Sequence, residues 1–264
     1  MDGNGSYLRT TGVYRCTFLK PEQPLEGGRV YVEVLAAALA AVVKVNGTVA
    51  ATHEGGFSTF RADITDLCKE GNNEMTIEVS NEDTPSMYPA SADFTFYGGL
   101  YRGVNLISVP HTHFDLDYYG GSGIKVTPKP TEDGGATFEI ESFVTNQEDC
   151  FTVMYSIEDA CGCEVAAAVR PADDTAVTIY VPDVKLWSMD EPNLYTVVAR
   201  LQKNNETYDE ICVNTGVRSY YVTPDGGFFI NNKAVSLRGV SRHQDRLYKG
   251  LSLIHISEPT RRVV

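Results

Sequence analysis

The chain has 264 residues, 42% hydrophobic and 22% charged, and its 35 acidic against 22 basic residues give a formal net charge of -13. This length suits one large or two small domains around a real core, and the acidity argues against nucleic acid and anionic membranes as partners. No segment approaches the roughly 20 apolar residues that cross a bilayer. The N-terminus, MDGNGSYLRTTG, has no basic or apolar region of a signal peptide, so we expect a cytoplasmic protein.

The first half of the chain is patterned as short β-strands. Alternating runs predict strands at residues 13–18, 29–34, 42–45, 75–79 and 104–109. Asn46-Gly47 predicts a tight hairpin between two of these strands. The alanine-rich segment 36–41 favours helix by propensity, but its β-branched neighbours indicate two strands joined by a bend. Residues 63–71 are compatible with a single helical turn.

A glycine cluster at residues 118–123 predicts a boundary, after which a second β block begins. Strands are expected around residues 124–127, 136–144, 151–159, 164–169, 176–181 and 195–202. Short strands separated by turns about every ten residues are typical of an immunoglobulin-type β-sandwich. After Gly216 the pattern predicts a hairpin turning at Asn231-Asn232, whose strand Val235–Val240 leads into the polar cluster 241–246.

Several cysteine, histidine and tryptophan residues could bind a metal ion or a sugar instead of having a purely structural role. The six cysteines are expected as free thiols, because the chain is long enough to fold without disulfides. Cys161-Gly-Cys163 could be a metal-ligand pair, but without a second Cys or His cluster its spacing is poor for zinc. His111 and His113 could also pair on a metal, although a surface loop after Pro110 is favoured. Trp187 could stack on a sugar, but a structural role is favoured.

Four segments, in order, resemble glycoside hydrolase family 2, the family of bacterial β-galactosidases. They are residues 12–18 (GVYRCTF), 92–104 (ADFTFYGGLYRGV), 185–195 (KLWSMDEPNLY) and 216–245, which ends in RGVSRHQD. Each motif alone is moderately specific, and their order over some 230 residues identifies the family.

The resemblance implies an all-β fold in which a jelly-roll sugar-binding domain (residues 1–118) precedes an immunoglobulin-like β-sandwich (122–217). Residues 218–250 would then begin a TIM barrel, of which only the first strand is present. Residues 251–261 (LSLIHISEPTR) resemble the translation of a transposase-based sequencing adapter, so 251–264 is expected to be a non-native tail. The N-terminus is expected to be incomplete.

The family's catalysis uses two glutamates on later barrel strands, one as acid/base and one as nucleophile, in a retaining mechanism. Neither glutamate is expected in this chain, so it is predicted to be inactive by itself and to hold no cofactor. The resemblance implies Mg²⁺ and Na⁺ for the full-length enzyme, and a homo-oligomer.

Two residues are carried over as substrate contacts, with two supporting residues beside them. Asp93 matches the aspartate that reaches the sugar and a monovalent cation, a role that suits a carboxylate; the alternative is a solvated loop residue. His243 matches a histidine that hydrogen-bonds the sugar, the alternative being a residue that satisfies backbone groups. Arg242 and Asp245 would orient it, while Ser241 and Gln244 depart from the enterobacterial-type pattern.

The leading functional prediction is β-galactosidase, acting on terminal β-D-galactosides or a related carbohydrate. Alternatives within the family are β-glucuronidase and β-mannosidase. A stand-alone carbohydrate-binding module and a structural scaffold are alternatives from other classes, because fold alone does not decide function.

Overall fold

The computed structural model describes residues 8–22, 27–82, 97–148 and 150–240, and the backbone of residues 245–246 and 250–251. The predicted all-β class is confirmed: across these residues the regular structure is β-strand, apart from a 3-10 turn at Thr65–Leu67. They divide into two compact units, built mainly from residues 29–108 and residues 109–239. The domain bounds given above stay predictions.

The first unit contains two main antiparallel sheets, ordered β1-β7-β4-β5 and β6-β2-β9, with a small ladder β3-β8. The strands are β1 (Thr11–Leu19), β2 (Arg29–Val34), β3 (Ala37–Ala38), β4 (Ala40–Val45), β5 (Thr48–Glu54), β6 (Phe60–Asp63), β7 (Asn72–Ser80), β8 (Gly99–Leu100) and β9 (Val104–Val109). Alternation explains the packing, because every second residue of β4 and β7 points inward. Val43, Val45 and Ile77 thereby join Val30, Val32 and Val34 in one core.

Local chemistry sets the turns of this unit as predicted. Asn46 (φ 50°) and Gly47 (φ 83°) both have positive φ, the backbone of a type I′ hairpin turn between β4 and β5. The Asn46 side chain also donates to the Leu67 carbonyl at 2.8 Å. The alanine-rich segment forms the two short strands β3 and β4, and the helical turn predicted within residues 63–71 is the 3-10 turn.

The second unit is a sandwich of the sheets β11-β12-β16 and β15-β14-β17-β18, with a pair β10-β13 and a meander β19-β20-β21. Its strands are β10 (His113–Phe114), β11 (Ile124–Pro130), β12 (Ala136–Ser142), β13 (Val144–Thr145), β14 (Thr152–Glu158), β15 (Glu164–Pro171), β16 (Ala176–Val181), β17 (Tyr195–Lys203), β18 (Glu206–Thr215), β19 (Tyr220–Thr223), β20 (Gly227–Ile230) and β21 (Lys233–Val235). The buried side chains of Phe138, Ile140, Tyr155, Ile157 and Leu201 form its core. The strand predictions omitted β18, an acidic edge strand with little apolar signal of its own.

The hairpin predicted at Asn231-Asn232 is confirmed, since both residues have positive φ and β20 pairs with β21. The strand predicted over residues 235–240 is wrong in its extent. Val235 ends β21, and residues 236–240 have no regular structure. Leu237 and Val240 are 73% and 93% exposed. The alternation of apolar and polar residues in this segment therefore does not correspond to a strand of any sheet within the described part of the chain. Further on, β22 (Asp245–Arg246) pairs with β23 (Gly250–Leu251).

Candidate functional site

The four residues predicted to contact or support the substrate lie where the structure describes no side chains. Asp93, Arg242 and His243 lie outside the described residues, and Asp245 is described only by its backbone in β22. Their roles stay predictions. The structure does describe the framework from which the segments carrying them depart.

A buried asparagine holds the two ends of the segment that contains Asp93. The chain leaves the described part after Glu82 and returns at Tyr97. Asn81, 4% exposed, accepts a hydrogen bond from the Thr10 amide at 2.9 Å and donates to the Leu8 carbonyl at 3.2 Å. A Cβ atom at Gly98 would lie 2.9 Å from Asn81 Cγ, so only glycine fits against this side chain. The two ends therefore meet at Asn81 and Gly98, which we call the neck.

Tyr14 of β1 fixes the chain just after the neck. Its hydroxyl accepts a hydrogen bond from the Leu100 amide at 3.2 Å, and Leu100 pairs with Ala37 of β3. Gly99 has φ 99°, and a Cβ atom there would collide with the Tyr14 hydroxyl. These contacts explain sterically why the YGGLYRG motif has two adjacent glycines.

Tyr101 and Arg102 complete the same motif on the surface of the first unit. The Tyr101 hydroxyl donates to the Gly56 carbonyl, and its ring packs on Ala38 and Leu39. Burial raises the pKa of Tyr101. The Arg102 guanidinium lies 5.5 Å from the centre of that ring. Tyr101 therefore has a packing role within the first unit.

In the second unit, the motif KLWSMDEPNLY is a turn closed by its own polar groups. The Ser188 amide donates to the Glu191 carbonyl at 2.8 Å, and the Glu191 amide donates to the Ser188 hydroxyl at 3.0 Å. Asn193 donates to the Leu186 carbonyl at 3.0 Å, and the Tyr195 hydroxyl accepts from the Lys185 amide at 2.9 Å. The motif residues thus satisfy backbone groups rather than projecting polar atoms as a binding set.

Trp187 connects this turn to the meander that precedes residues 241–245. Its amide donates to the Val217 carbonyl at 2.8 Å, and its carbonyl accepts from the Asn231 side chain at 2.9 Å. The Arg218 guanidinium lies 4.8 Å from the ring centre, and a Cβ atom at Gly216 would lie 2.8 Å from Trp187 Cβ. The structural role predicted for Trp187 is confirmed.

A cleft of about 530 Å³ separates this turn from the β20–β21 hairpin. Its lining is mixed, with Leu186, Met189, Ile230 and Val235 beside charged residues that include Lys185, Asp190, Glu191 and Lys233. Asn231 bridges its base, because its backbone and side chain bind Ser219 while the side-chain amide reaches Trp187. Sequence reasoning missed both Asn81 and Asn231 as clamps, because their partners are distant along the chain.

The surface-loop prediction is wrong for His113, which is fully buried in β10. Its Nδ1 lies 2.9 Å from the Pro110 carbonyl oxygen and 3.1 Å from that of His111. Asp209 lies beside this segment and accepts a hydrogen bond from the Phe114 amide at 2.8 Å. Burial raises the pKa of Asp209. His111 is exposed, so the two histidines do not share an environment.

The described side chains include no group of three or more His, Cys, Asp and Glu residues that is arranged to hold a metal ion. All six cysteines are free thiols. Within the described residues no helix is long and apolar enough to span a membrane.

A jelly-roll-like unit joined to a β-sandwich unit matches two family models. "Glycosyl hydrolases family 2, sugar binding domain" matches residues 3–110, and "Glycosyl hydrolases family 2" matches residues 122–218. Together the two models match most of the sequence. The chain belongs to glycosyl hydrolases family 2.

Relatives of the chain carry glycosidase names of two kinds. The crystal structure of an FMN-binding β-glucuronidase from Facaelibacterium prausnitzii L2-6 is 82% identical with a TM-score of 0.91, covering 95% of this chain and 39% of that chain. A β-glucuronidase from Bacteroides fragilis is 28% identical over 95% of this chain and 37% of its own length. A β-galactosidase from Thermoanaerobacter pseudethanolicus is 30% identical over 90% of this chain and 32% of its own length. The chain therefore spans well under half the length of these relatives.

Proposed function

We propose that this chain is part of a longer protein that hydrolyses β-D-glucuronides. The observation that carries the proposal is the 82% identity, over 95% of this chain, to a structure named as a β-glucuronidase. The named β-galactosidase described above is 30% identical. Because proteins of closer identity share a substrate more often, we place β-glucuronidase ahead of the β-galactosidase prediction.

The chemistry is that of a retaining glycosidase. One carboxyl group protonates the leaving oxygen while a second, about 5–5.5 Å away, attacks the anomeric carbon, and water then releases the sugar. In this proposal the longer protein supplies both carboxyl groups. The residues of this chain bind and position the sugar, Asp93 by accepting hydrogen bonds from its hydroxyl groups and His243 by contacting it near the reacting centre.

The neck supports the assignment of Asp93. A long segment reaching a substrate loses conformational freedom on binding, and tying its ends together reduces that loss. The close packing of Gly98 against Asn81 provides this tie at the base of the segment. Trp187 and Asn231 anchor the meander that leads towards His243 in the same way.

The deciding experiment compares p-nitrophenyl β-D-glucuronide and p-nitrophenyl β-D-galactoside as substrates of the full-length protein. We expect kcat/KM to be at least about 100-fold higher for the glucuronide, because a site that pairs with a substrate carboxylate discriminates strongly against analogues without it. A preference for the galactoside would reject the proposal and favour the second candidate, β-galactosidase, which the 30% identical relative supports.

Asp93→Asn tests the substrate role within the same protein. Loss of the carboxylate is expected to lower kcat/KM by about 10-fold to 1000-fold, since a charged hydrogen-bond acceptor contributes about 1.5–3 kcal/mol and more in the transition state. Asp83→Asn, a change in the same segment, is the matched control and should retain activity. Equal loss in both variants would point to damage to the segment rather than to a lost contact.

Measurements on the 264-residue chain alone distinguish the glycosidase proposal from the alternative of a stand-alone binding module. It should not cleave either substrate, and glucuronate should not bind detectably by calorimetry. Tight sugar binding by the isolated chain would instead support a stand-alone carbohydrate-binding module.

A further inference from the structure

The hairpin between β14 and β15 carries two cysteines that the proposed glycosidase function does not use. Cys161 and Cys163 flank Gly162 at the tip of the hairpin, and both are exposed residues with free thiols. The tip is a solvent-facing position, so a dissolved ion reaches it without any rearrangement of the core.

The backbone of this tip is fixed by hydrogen bonds that converge on Asp159. One carboxylate oxygen, Oδ1, accepts from the Cys161 amide at 2.8 Å and from the Cys163 amide at 3.0 Å. The Asp159 amide donates to the Cys163 carbonyl at 2.9 Å, and the Gly162 amide donates to the Asp159 carbonyl at 2.9 Å. The relative position of the two cysteine Cα atoms is therefore set before any ligand arrives.

The spacing along the chain keeps the two cysteines near each other. Cα atoms two residues apart are separated by at most about 7 Å, even in extended backbone. Gly162 has φ 77°, which bends the chain between them. Two thiols on one fixed backbone turn lose less conformational entropy on chelation than two independent thiols, which strengthens binding.

The number and type of donors restrict which ion is suitable. No third His, Cys, Asp or Glu side chain in the described part of the chain completes a metal-binding group here. Zinc prefers four ligands in its structural sites, whereas soft thiolates without further donors suit Cu(I), which accepts two sulfur ligands. The neighbouring carboxylates of Glu158, Asp159 and Glu164 add negative potential that favours a cation.

We propose that Cys161 and Cys163 form a two-thiolate site for a soft, two-coordinate cation of the Cu(I) class. Binding forms two metal–sulfur bonds and releases one proton from each thiol, with no change in oxidation state. The site shares no residue with those proposed to contact the sugar, so its test does not depend on the glucuronidase proposal.

The test is an anaerobic Cu(I) titration of the reduced 264-residue chain in competition with a chromophoric Cu(I) chelator. We expect one equivalent to be withdrawn from the chelator, and this equivalent to be lost in both Cys161→Ser and Cys163→Ser. The matched controls are Cys16→Ser and Cys212→Ser, which remove exposed cysteines on β1 and β18 and should retain it. Retention of the equivalent in either hairpin variant would overturn the proposal, as would its loss in the controls.

A dithiol-specific reagent provides a second readout that does not depend on copper. Phenylarsine oxide condenses with two thiols to give one dithioarsinite and one water. It should protect Cys161 and Cys163 from alkylation by iodoacetamide, as read by peptide mass spectrometry, and leave Cys16 and Cys212 reactive. Alkylation of Cys161 and Cys163 at the unprotected rate would show that the two sulfur atoms cannot share a ligand.

Discussion

A hydrogen bond between two buried hydroxyl groups links the two sheets of the second unit. Ser142 Oγ of β12 and Tyr155 Oη of β14 lie 2.7 Å apart, and their residues are 1% and 0% exposed. Burial raises the pKa of Tyr155, which keeps it a neutral donor and acceptor. Each hydroxyl satisfies the other in a place where water does not reach.

Removing one hydroxyl should therefore cost more than removing both. Ser142→Ala leaves the tyrosine hydroxyl unpaired, and Tyr155→Phe leaves the serine hydroxyl unpaired. Each change is expected to lower the free energy of unfolding by about 1–3 kcal/mol, the cost of an unsatisfied buried polar group. The double variant replaces both partners by apolar groups of similar shape and should lie within about 1 kcal/mol of the parent. The double-mutant cycle then gives a coupling energy of at least about 1 kcal/mol, because the two single costs together exceed the cost of the double variant.

Urea unfolding followed by tryptophan fluorescence measures these changes. Trp187 is the only tryptophan of the chain and lies in the second unit, so its signal reports on the unit that carries the substitutions. Tyr220→Phe, at a residue 68% exposed, is the control and should change stability by less than about 0.5 kcal/mol. Strictly additive single-variant costs would refute the reasoning, because they would mean that each hydroxyl has a separate partner.

Three further outcomes follow from contacts in both units. Gly98→Ala should lower kcat/KM of the full-length protein and increase proteolysis between residues 82 and 97, because the new methyl group would displace Asn81 at the neck. Glu33→Leu should lower the free energy of unfolding by about 1–3 kcal/mol in thermal melts, because it removes the carboxylate that lies 2.8 Å from the mostly buried Arg61 guanidinium. Hydrogen bonds from Thr131, Tyr180 and the Gly135 amide lower the pKa of the Asp133 carboxyl from 3.8 to about 2. The stabilising contribution of this carboxylate is therefore present above pH 4 and is lost as pH falls towards 2. An NMR titration of the Asp133 carboxyl measures the midpoint directly.

Each of these outcomes has a matched comparison. Gly47→Ala is placed at a positive φ but in open space, so it should affect stability without reproducing the proteolysis at the neck. Lys129→Met breaks an exposed ion pair with side chains 55% and 45% exposed, and should cost at most about 1 kcal/mol. Tyr180→Phe removes one donor to Asp133 and should move that carboxyl midpoint upward. An unshifted midpoint in this variant would remove Tyr180 as a cause.

The contacts at the neck show how a sequence motif can identify a family through residues whose role is steric. Gly98 and Gly99 belong to the family-like segment 92–104, yet their described contacts are steric, with Asn81 and Tyr14. Trp187 is similar, since it packs on Gly216 and Arg218. Such residues hold the framework in place, and the residues that they support are the ones expected to meet the substrate.

Local backbone chemistry allowed the sequence by itself to determine much of this fold. Alternation between apolar and polar residues located most strands of both units, because each strand has one buried face. Asn46-Gly47 and Asn231-Asn232 determined two hairpins, since residues that tolerate positive φ are required in those turns. Free thiols and the structural role of Trp187 also followed from the sequence.

Contacts between residues far apart along the chain were decided only by the tertiary structure. His113 lies three residues after Pro110 in a polar segment, and it is buried where β10 pairs with β13 and packs beside β18. Asn81 binds residues about seventy positions away, and no periodicity predicts a partner at that distance. The exposed end of the Val235–Val240 segment is an example of a local pattern that predicts too much. Alternation of apolar and polar residues does not make a strand unless a neighbouring backbone can pair with it.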